Sequence, residues 1–309
     1  MIVKAFLQLI RWKNLLMITF IQILFKYVYF PVFSVDVALT DVDFIILTIA
    51  TLTIAAAGYI LNDVFDVKPD LVNKPNKVVI DKIISKKKAY YYYLVLNVVG
   101  IIAGLYVAYR INNLSFIAIF IITALLLRLY NTNFKKMPLV GNIIVSLLVS
   151  LSILIVGIFD IIPAITEINT VDQYHAFRVL IDYAIFAFIL MLLREIVKDA
   201  EDMEGDKIMN MNTLPILIGK KKTNKFIFTL SFLPLILVTN YSFQNFSDVP
   251  LTLAYMLVVV LIPLLYFMTK ILYAKSKKEY AFASKLLKFI MLLGMLSIVL
   301  ISISIYYAK

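Results

Sequence analysis

The sequence contains no cysteine and a single histidine, His175. The lack of cysteine excludes disulfide bonds, thiolate metal sites and cysteine nucleophiles, and one histidine excludes metal sites built from several imidazoles. Charged residues are also scarce, at 16% of the 309 residues. Chemistry at a metal or a phosphate would therefore have to come from carboxylates, amides, lysines and arginines.

Apolar residues are abundant. They make up 62% of the chain, and the mean hydropathy is +0.94, whereas a soluble domain contains about 45–50% apolar residues. This composition is typical of an integral membrane protein. The first apolar run is not followed by a small-residue cleavage site, so we predict a membrane span there and not a cleaved signal peptide.

Nine apolar stretches are long enough to cross a bilayer as helices. They are continuous, whereas the strands of a membrane barrel alternate apolar and polar residues. The sequence therefore predicts an all-α integral membrane protein that forms a single domain over residues 1–309. The predicted helices cover about residues 15–33, 43–61, 89–109, 113–130, 141–161, 178–194, 224–240, 250–272 and 286–307.

The basic residues predict the orientation of these helices. With the N-terminus on the cytoplasmic side, all but four of the 30 lysines and arginines fall on that side. The four on the other side are Lys26, Arg110, Arg178 and Lys309. Because cytoplasmic loops carry the basic excess, we predict a cytoplasmic N-terminus. The net charge of +11 is then explained by topology and by attraction to anionic membrane lipids, and no nucleic-acid partner is expected.

Acidic residues are concentrated at two predicted span ends, within residues 62–70 and 194–206. In the second cluster four acids are spaced i, i+4, i+7 and i+11, which places them on one helical face. These acids are Glu195, Asp199, Asp202 and Asp206. Such a face is unfavourable unless a cation lies among the carboxylates, and hard divalent cations prefer oxygen ligands. Glu201 and Glu204 point away from this face and are predicted to be solvated.

In the first cluster Asn62, Asp66 and Asp70 follow at i, i+4 and i+8, with Asp63 beside them. Pro69 predicts that the helix ends near residue 68. Each cluster also has a structural alternative. The first could be a solvated helix end. The second could be a set of salt bridges with its basic neighbours Arg194, Lys198 and Lys207.

Both clusters are predicted on the cytoplasmic side, where they could form one ionic site. Several carboxylates flanked by lysine and arginine can hold two or more Mg²⁺ ions and the diphosphate that the ions bridge. A metal-bound diphosphate is a good leaving group, and its departure from an allylic carbon leaves a carbocation. An apolar helical cavity would shelter that cation and an isoprenoid tail from water.

Three segments resemble motifs of the UbiA superfamily of intramembrane prenyltransferases. They are NDVFDVKPDLVNKPNK (62–77), LYNTNFKKMPLVGN (129–142) and REIVKDAEDMEGDKIMNMNTLPILIG (194–219). The resemblance implies nine helices around a central cavity, with Mg²⁺ as cofactor and an opening to lipid. It also implies a polyprenyl diphosphate substrate whose head group lies at the cytoplasmic end.

The resemblance also implies roles for individual residues. The metal ligands would be Asn62, Asp63, Asp66, Asp70, Asp199, Asp202 and Asp206. The catalytic residues would be Asp66, Asp199, Lys135 and Tyr130. Substrate contacts would come from Asn62, Lys198, Arg194, Lys77, Arg11, Asn14 and Asn142. Lys77 stands where the family commonly has arginine, and lysine lacks the bidentate fork that suits phosphate.

Within the superfamily, the NKPN sequence and the KDxEDxxGD form of the second motif look most similar to digeranylgeranylglyceryl phosphate synthases. The predicted acceptor is accordingly a lipid-like hydroxyl compound such as geranylgeranylglyceryl phosphate. Prenylation of an aromatic quinone precursor is the alternative. A cation-coupled transporter is a more remote one, because transporters place their acids near the bilayer midplane. The DGxxAR segment of a CDP-alcohol phosphatidyltransferase is not found at either cluster. The sequence leaves prenyl length and oligomeric state open.

Overall fold

The computed structural model describes residues 2–306, with only the backbone of Tyr306. Within these residues the regular structure is helical, and nine helices are long and apolar enough to cross a membrane. This confirms the predicted all-α fold. The nine helices, numbered α1 to α9 in chain order, are Trp12–Val32, Asp41–Phe65, Lys86–Arg110, Leu114–Thr132, Val140–Ala164, Thr170–Ile208, Lys220–Phe246, Pro250–Tyr273 and Lys277–Ile305.

Helix α6 is much longer than the predicted 178–194. It runs for 39 residues, Thr170–Ile208, which is about 58 Å at 1.5 Å per residue. The hydrocarbon core of a bilayer is only about 30 Å thick. The helix therefore projects beyond the membrane at its ends, and its C-terminal turns carry the second acidic cluster. The helix also begins at Thr170, eight residues before the predicted start at residue 178.

Helix α2 ends at Phe65, earlier than the predicted residue 68, and a short helix, Val67–Asn73, follows directly. Pro69 is the third residue of this short helix. The N–H groups of a first helical turn have no partner within the helix, so proline is tolerated there. The break at Asp66 turns the chain back towards the bundle and brings Asp70 with it.

Helix α1 contains a π-helical segment, Leu24–Tyr29. Lys26 lies in this segment and is buried, although it was counted above among the residues of the outer side. Its Nζ lies 2.9 Å from Oδ1 of Asp160 and 2.8 Å from the carbonyl oxygen of Leu39. The Leu39 N–H donates to the same carboxylate oxygen. This buried ion pair connects α1 to the end of α5.

The helices pack closely in three pairs, α2 with α3, α5 with α6, and α6 with α9. A short N-terminal helix, Ile2–Leu9, packs against the C-terminal half of α2 and the start of α3. Between α1, α2, α4, α5, α6 and α9 the side chains leave a cavity. Both acidic clusters lie at the same end of this cavity.

Candidate active site

The cavity has a volume of about 570 Å³, within the range of about 300–1,000 Å³ that is usual for ligand pockets. Its deeper part is apolar, with Ile18, Ile54, Phe120, Leu127 and Leu148 among the lining residues. Its other end is lined by acids and bases. The acids are Asp63, Asp66, Asp70, Glu195, Asp199, Glu201, Asp202 and Asp206, and the bases are Arg11, Lys74, Lys77, Lys135, Arg194, Lys198 and Lys285.

The acidic face predicted for the second cluster is present on α6. Its four carboxylates belong to one uninterrupted helix and all line the cavity, namely Glu195, Asp199, Asp202 and Asp206. Glu204 is exposed, as predicted. Glu201 was predicted to be solvated, but it is only partly exposed and also lines the cavity. The cavity is wide enough around α6 to include this neighbouring side chain.

Asn73 joins the two acidic clusters. Its side-chain amide donates to the carbonyl oxygen of Asp202 at 2.8 Å, and its side-chain oxygen accepts the Gly205 N–H at 3.1 Å. Lys74 adds an ion pair with the Asp202 carboxylate at 2.5 Å. The helix Val67–Asn73 is thus fixed against α6. No spacing rule in the sequence marks Asn73 or Lys74 for this role, because their partners lie about 130 residues away.

Asn62 is held from two sides. The Arg11 guanidinium donates to its Oδ1 at 2.7 Å, and its own amide donates to Oδ1 of Asn131 at 3.2 Å. Arg11 also contacts Asp63 at 3.2 Å and stacks over the ring of Tyr59. Arg11 occupies a left-handed break between the N-terminal helix and α1, which directs its side chain into the bundle. Asn131 lies in the segment 129–142 that resembles a family motif, but it was not predicted as a site residue, and no spacing in the sequence marks Tyr59.

Lys135 forms an ion pair with Asp66. Burial alone would lower the pKa of this lysine, but the Asp66 carboxylate outweighs it, so the pKa is raised and the side chain stays charged. Tyr130, at the end of α4, also lines the cavity. Asn142 contacts the site through Asp199, because its amide donates to Oδ2 of that residue at 2.9 Å.

The remaining predicted substrate contacts also lie at the polar end. Arg194 and Lys198 both contact Oε1 of Glu195, at 3.1 and 2.9 Å. Lys77 is exposed on a short turn, Pro75–Lys77, at the cavity edge. Asn14 lines the cavity one turn after Arg11. The structure therefore brings every predicted site residue to one region.

The residues at the polar end fit a hard divalent cation. Oδ1 of Asp202 is buried without a hydrogen-bond partner. Burial, and then the neighbouring Asp66 carboxylate, raise the pKa of Asp70 to about 6. Nearby positive charge therefore does not offset the cost of burying the ionised carboxylate. Carboxylate and amide oxygens are the ligands that Mg²⁺ takes. In residues 2–306, however, no three acidic or histidine side chains already converge in metal-binding geometry, since lysine and arginine hold several of the acids.

A family model, the UbiA prenyltransferase family, matches residues 28–303. This match covers most of the chain. The chain belongs to the UbiA prenyltransferase family. The resemblance stated from the three motifs is thereby confirmed, and the nine apolar helices are those of an integral, multi-pass membrane protein.

Relatives in this family match almost end to end. The chain is 31% identical over 300 residues to the digeranylgeranylglyceryl phosphate synthase of Methanococcoides burtonii, covering 96% of this chain and 99% of the relative. It is 27% identical over 296 residues to the synthase of the same name from Methanosphaera stadtmanae, covering 95% and 97%.

Solved structures share the fold. One, from work on digeranylgeranylglyceryl phosphate synthase in membranes, superposes with a TM-score of 0.64 at 25% identity and covers 97% of this chain and 98% of that one. A UbiA homologue from Aeropyrum pernix K1 superposes with a TM-score of 0.65 at 11% identity, covering 90% and 97%. The second likeness concerns the fold alone.

Proposed function

We propose that this protein transfers a prenyl group from a polyprenyl diphosphate to the hydroxyl of a lipid-like acceptor such as geranylgeranylglyceryl phosphate, with release of diphosphate. The observation that carries the proposal is the division of one cavity into a carboxylate-rich end and an apolar end. Family membership and the names of the relatives support it. A solved UbiA homologue from Archaeoglobus fulgidus binds geranyl diphosphate (GPP) and Mg²⁺.

The carboxylate-rich end would hold Mg²⁺ and the diphosphate. The ligands are drawn from Asn62, Asp63, Asp66, Asp70, Asp199, Asp202 and Asp206. When bound, the metal supplies positive charge that stabilises the leaving diphosphate. Lys135 and Lys198 supply further positive charge at the same end, and Arg194 adds positive charge where this cavity borders a smaller one. Lys77 and Lys74 extend this charge to the cavity edge.

In the reaction the bond between the allylic carbon and the diphosphate oxygen breaks, and the diphosphate leaves with the electron pair. The acceptor hydroxyl oxygen forms the new carbon–oxygen bond. Its proton passes to a carboxylate, for which Asp199 is placed best, because Asn142 fixes one of its oxygens. The apolar part of the cavity would exclude water from the developing carbocation. Tyr130 also lines the cavity, about one helical turn after Leu127 on α4.

We infer that the carboxylate-rich end faces the cytoplasm. The support is the distribution of basic residues, nearly all of which lie on the side of the two acidic clusters. A transporter is disfavoured, because the acids gather at one end of the bundle and not near its middle.

The test is an assay of the purified protein in detergent with Mg²⁺ and geranylgeranyl diphosphate. Geranylgeranylglyceryl phosphate or an aromatic acid is added as acceptor, and products are identified by mass spectrometry. We expect the digeranylgeranylated lipid, no product in chelator, and recovery with added Mg²⁺. If product formed only with the aromatic acid, the acceptor would be aromatic and not a lipid-like hydroxyl compound. Full transfer in the presence of chelator would contradict the metal site.

A further inference from the structure

A second, smaller cavity of about 110 Å³ lies beside the first, between α1, α5, α6 and α9. Most of its lining is apolar, including Ile21, Phe186, Leu190, Met291 and Met295. A β-carbon built on Gly294 would meet no atom within 4 Å, so α9 leaves open space here. Helix α9 packs against α1 mainly through the π-helical half, Leu24–Tyr29, which leaves the gap beside the other half of α1.

The polar groups of this second cavity are gathered at one place. Lys288 donates from Nζ to Oδ1 of Asn14 at 2.6 Å. Of the residues with a described position, no acid forms an ion pair with Lys288. Arg194 and Lys13, both positively charged, lie near enough to repel it. Nε of Arg194 is buried and has no hydrogen-bond partner. Glu195, paired with Arg194, is the nearby acid.

These groups form a site with unused donors and an excess of positive charge, which is the chemistry of an anion site. The donor diphosphate has its own place among the carboxylates, where a divalent cation can bridge it. Asn14 and Arg194 line both cavities. An anion bound by them therefore lies at the boundary, within reach of the main cavity, while an attached hydrocarbon chain can lie along the apolar lining.

We propose that Lys288, Arg194 and Asn14 bind the phosphate monoester of the acceptor lipid and so select for phosphorylated acceptors. This inference rests on the proposed function. It also explains how the enzyme would distinguish the donor, a polyprenyl diphosphate, from the acceptor, an isoprenoid lipid with a phosphate monoester. Only the site lined by carboxylates is suited to a metal-bridged diphosphate. A phosphate monoester of a membrane lipid has the same chemistry, and the experiment separates the two sources.

The test compares Lys288→Gln with Lys288→Arg and with Lys278→Gln. Lys278 is an exposed lysine on the same helix that lines neither cavity. Each is assayed with geranylgeranylglyceryl phosphate and with its dephosphorylated counterpart, and KM is measured separately for donor and acceptor. Melting temperature in detergent is recorded for every variant.

We expect Lys288→Gln to raise the KM for the phosphorylated acceptor by about 10- to 100-fold, the usual effect of losing one charged hydrogen bond. Its KM for geranylgeranyl diphosphate should stay within about twofold of wild type. Lys288→Arg should recover most of the loss, and Lys278→Gln should be silent. With the dephosphorylated acceptor the wild type and Lys288→Gln should behave alike.

An unchanged acceptor KM in Lys288→Gln would overturn this inference and leave the proposed function intact, because transfer would still occur. A rise of the donor KM by the same factor would also overturn it, since Lys288 would then serve the diphosphate. A third outcome would assign the site to a membrane lipid and overturn the inference. In that case phosphatidic acid vesicles would inhibit wild type but not Lys288→Gln, and the two proteins would have the same acceptor KM. Absence of transfer by wild type to any phosphorylated acceptor would overturn both proposals.

Discussion

Asn73 and Gly205 are joined by a hydrogen bond of 3.1 Å that connects the segment after the first acidic motif to the helix that carries the second. The Gly205 backbone can approach so closely because it has no side chain. A β-carbon at this position would overlap the Asn73 amide and lie 2.7 Å from the carbonyl oxygen of Pro69. The relative position of the two motifs therefore depends on this glycine.

Gly205→Ala should accordingly push the helix Val67–Asn73 away from α6. We expect a loss of about 1–3 kcal/mol in stability, as for other overpacked contacts, and a fall of about 100-fold in turnover, because displacement of site groups by about 1 Å has that effect. Melting temperature and prenyl-transfer rate are measured together. Gly294→Ala is the control for stability, since its β-carbon meets open space. Unchanged turnover in Gly205→Ala would show that the contact does not position the site.

Asp202→Asn separates a metal-binding role from a structural one. The substitution keeps the size of the side chain and removes its charge. Changes to the residues around metal ligands lower activity by about 10- to 100-fold, and loss of a ligand should lower turnover by at least as much. Loss of the partly exposed pair with Lys74 should cost no more than about 1 kcal/mol of stability. Glu204→Gln is the matched control, because Glu204 is exposed on the same helix. Near-normal turnover in Asp202→Asn, or equal losses in the two variants, would remove Asp202 from the site.

The orientation of the chain in the membrane can be tested by cysteine labelling. The chain has no native cysteine, so every labelled thiol will be an introduced one. Single cysteines are introduced as Lys87→Cys, Lys221→Cys and Ile168→Cys, and intact cells are treated with a membrane-impermeant maleimide. Ile168 is 97% exposed between α5 and α6. Only Ile168→Cys should react before the cells are opened, since the other two are predicted to be cytoplasmic. Labelling of all three in intact cells would refute the nine-span topology.

The buried pair of Lys26 and Asp160 should matter for stability and not for catalysis. Lys26→Met leaves the Asp160 carboxylate buried without its partner, and removal of one member of such a pair typically costs about 3–5 kcal/mol. The double variant Lys26→Met, Asp160→Asn should recover much of this loss, because asparagine can still accept the Leu39 N–H. Thermal melting in detergent is the measurement. A double variant no more stable than Lys26→Met would contradict this account.

The apolar runs predicted the nine helices, and the motif spacing predicted the acidic face of α6. Helix ends were less accessible, because hydropathy reports where a chain meets lipid and not where a helix stops; α6 continues well past that limit. The contacts of Asn73, Asn131 and Lys74 could not be predicted, although all three lie in the segments that resemble family motifs, since their partners are brought near only by packing. The ion pair of Lys26 with Asp160 could not be predicted for the same reason, as the two residues lie 134 positions apart. That the whole chain is one domain stays a prediction.

The ion pairs of Lys135 with Asp66 and Lys74 with Asp202 mean that the protein carries its own counter-ions. If these acids hold the metal as proposed, loading of metal and diphosphate would be an ion exchange. The acids would pass from lysine to Mg²⁺, and the lysines would pass from carboxylate to phosphate. The number of close charge pairs changes little during this exchange. We therefore expect the affinity for the metal–diphosphate substrate to depend only weakly on salt concentration, unlike binding at an open, singly charged surface.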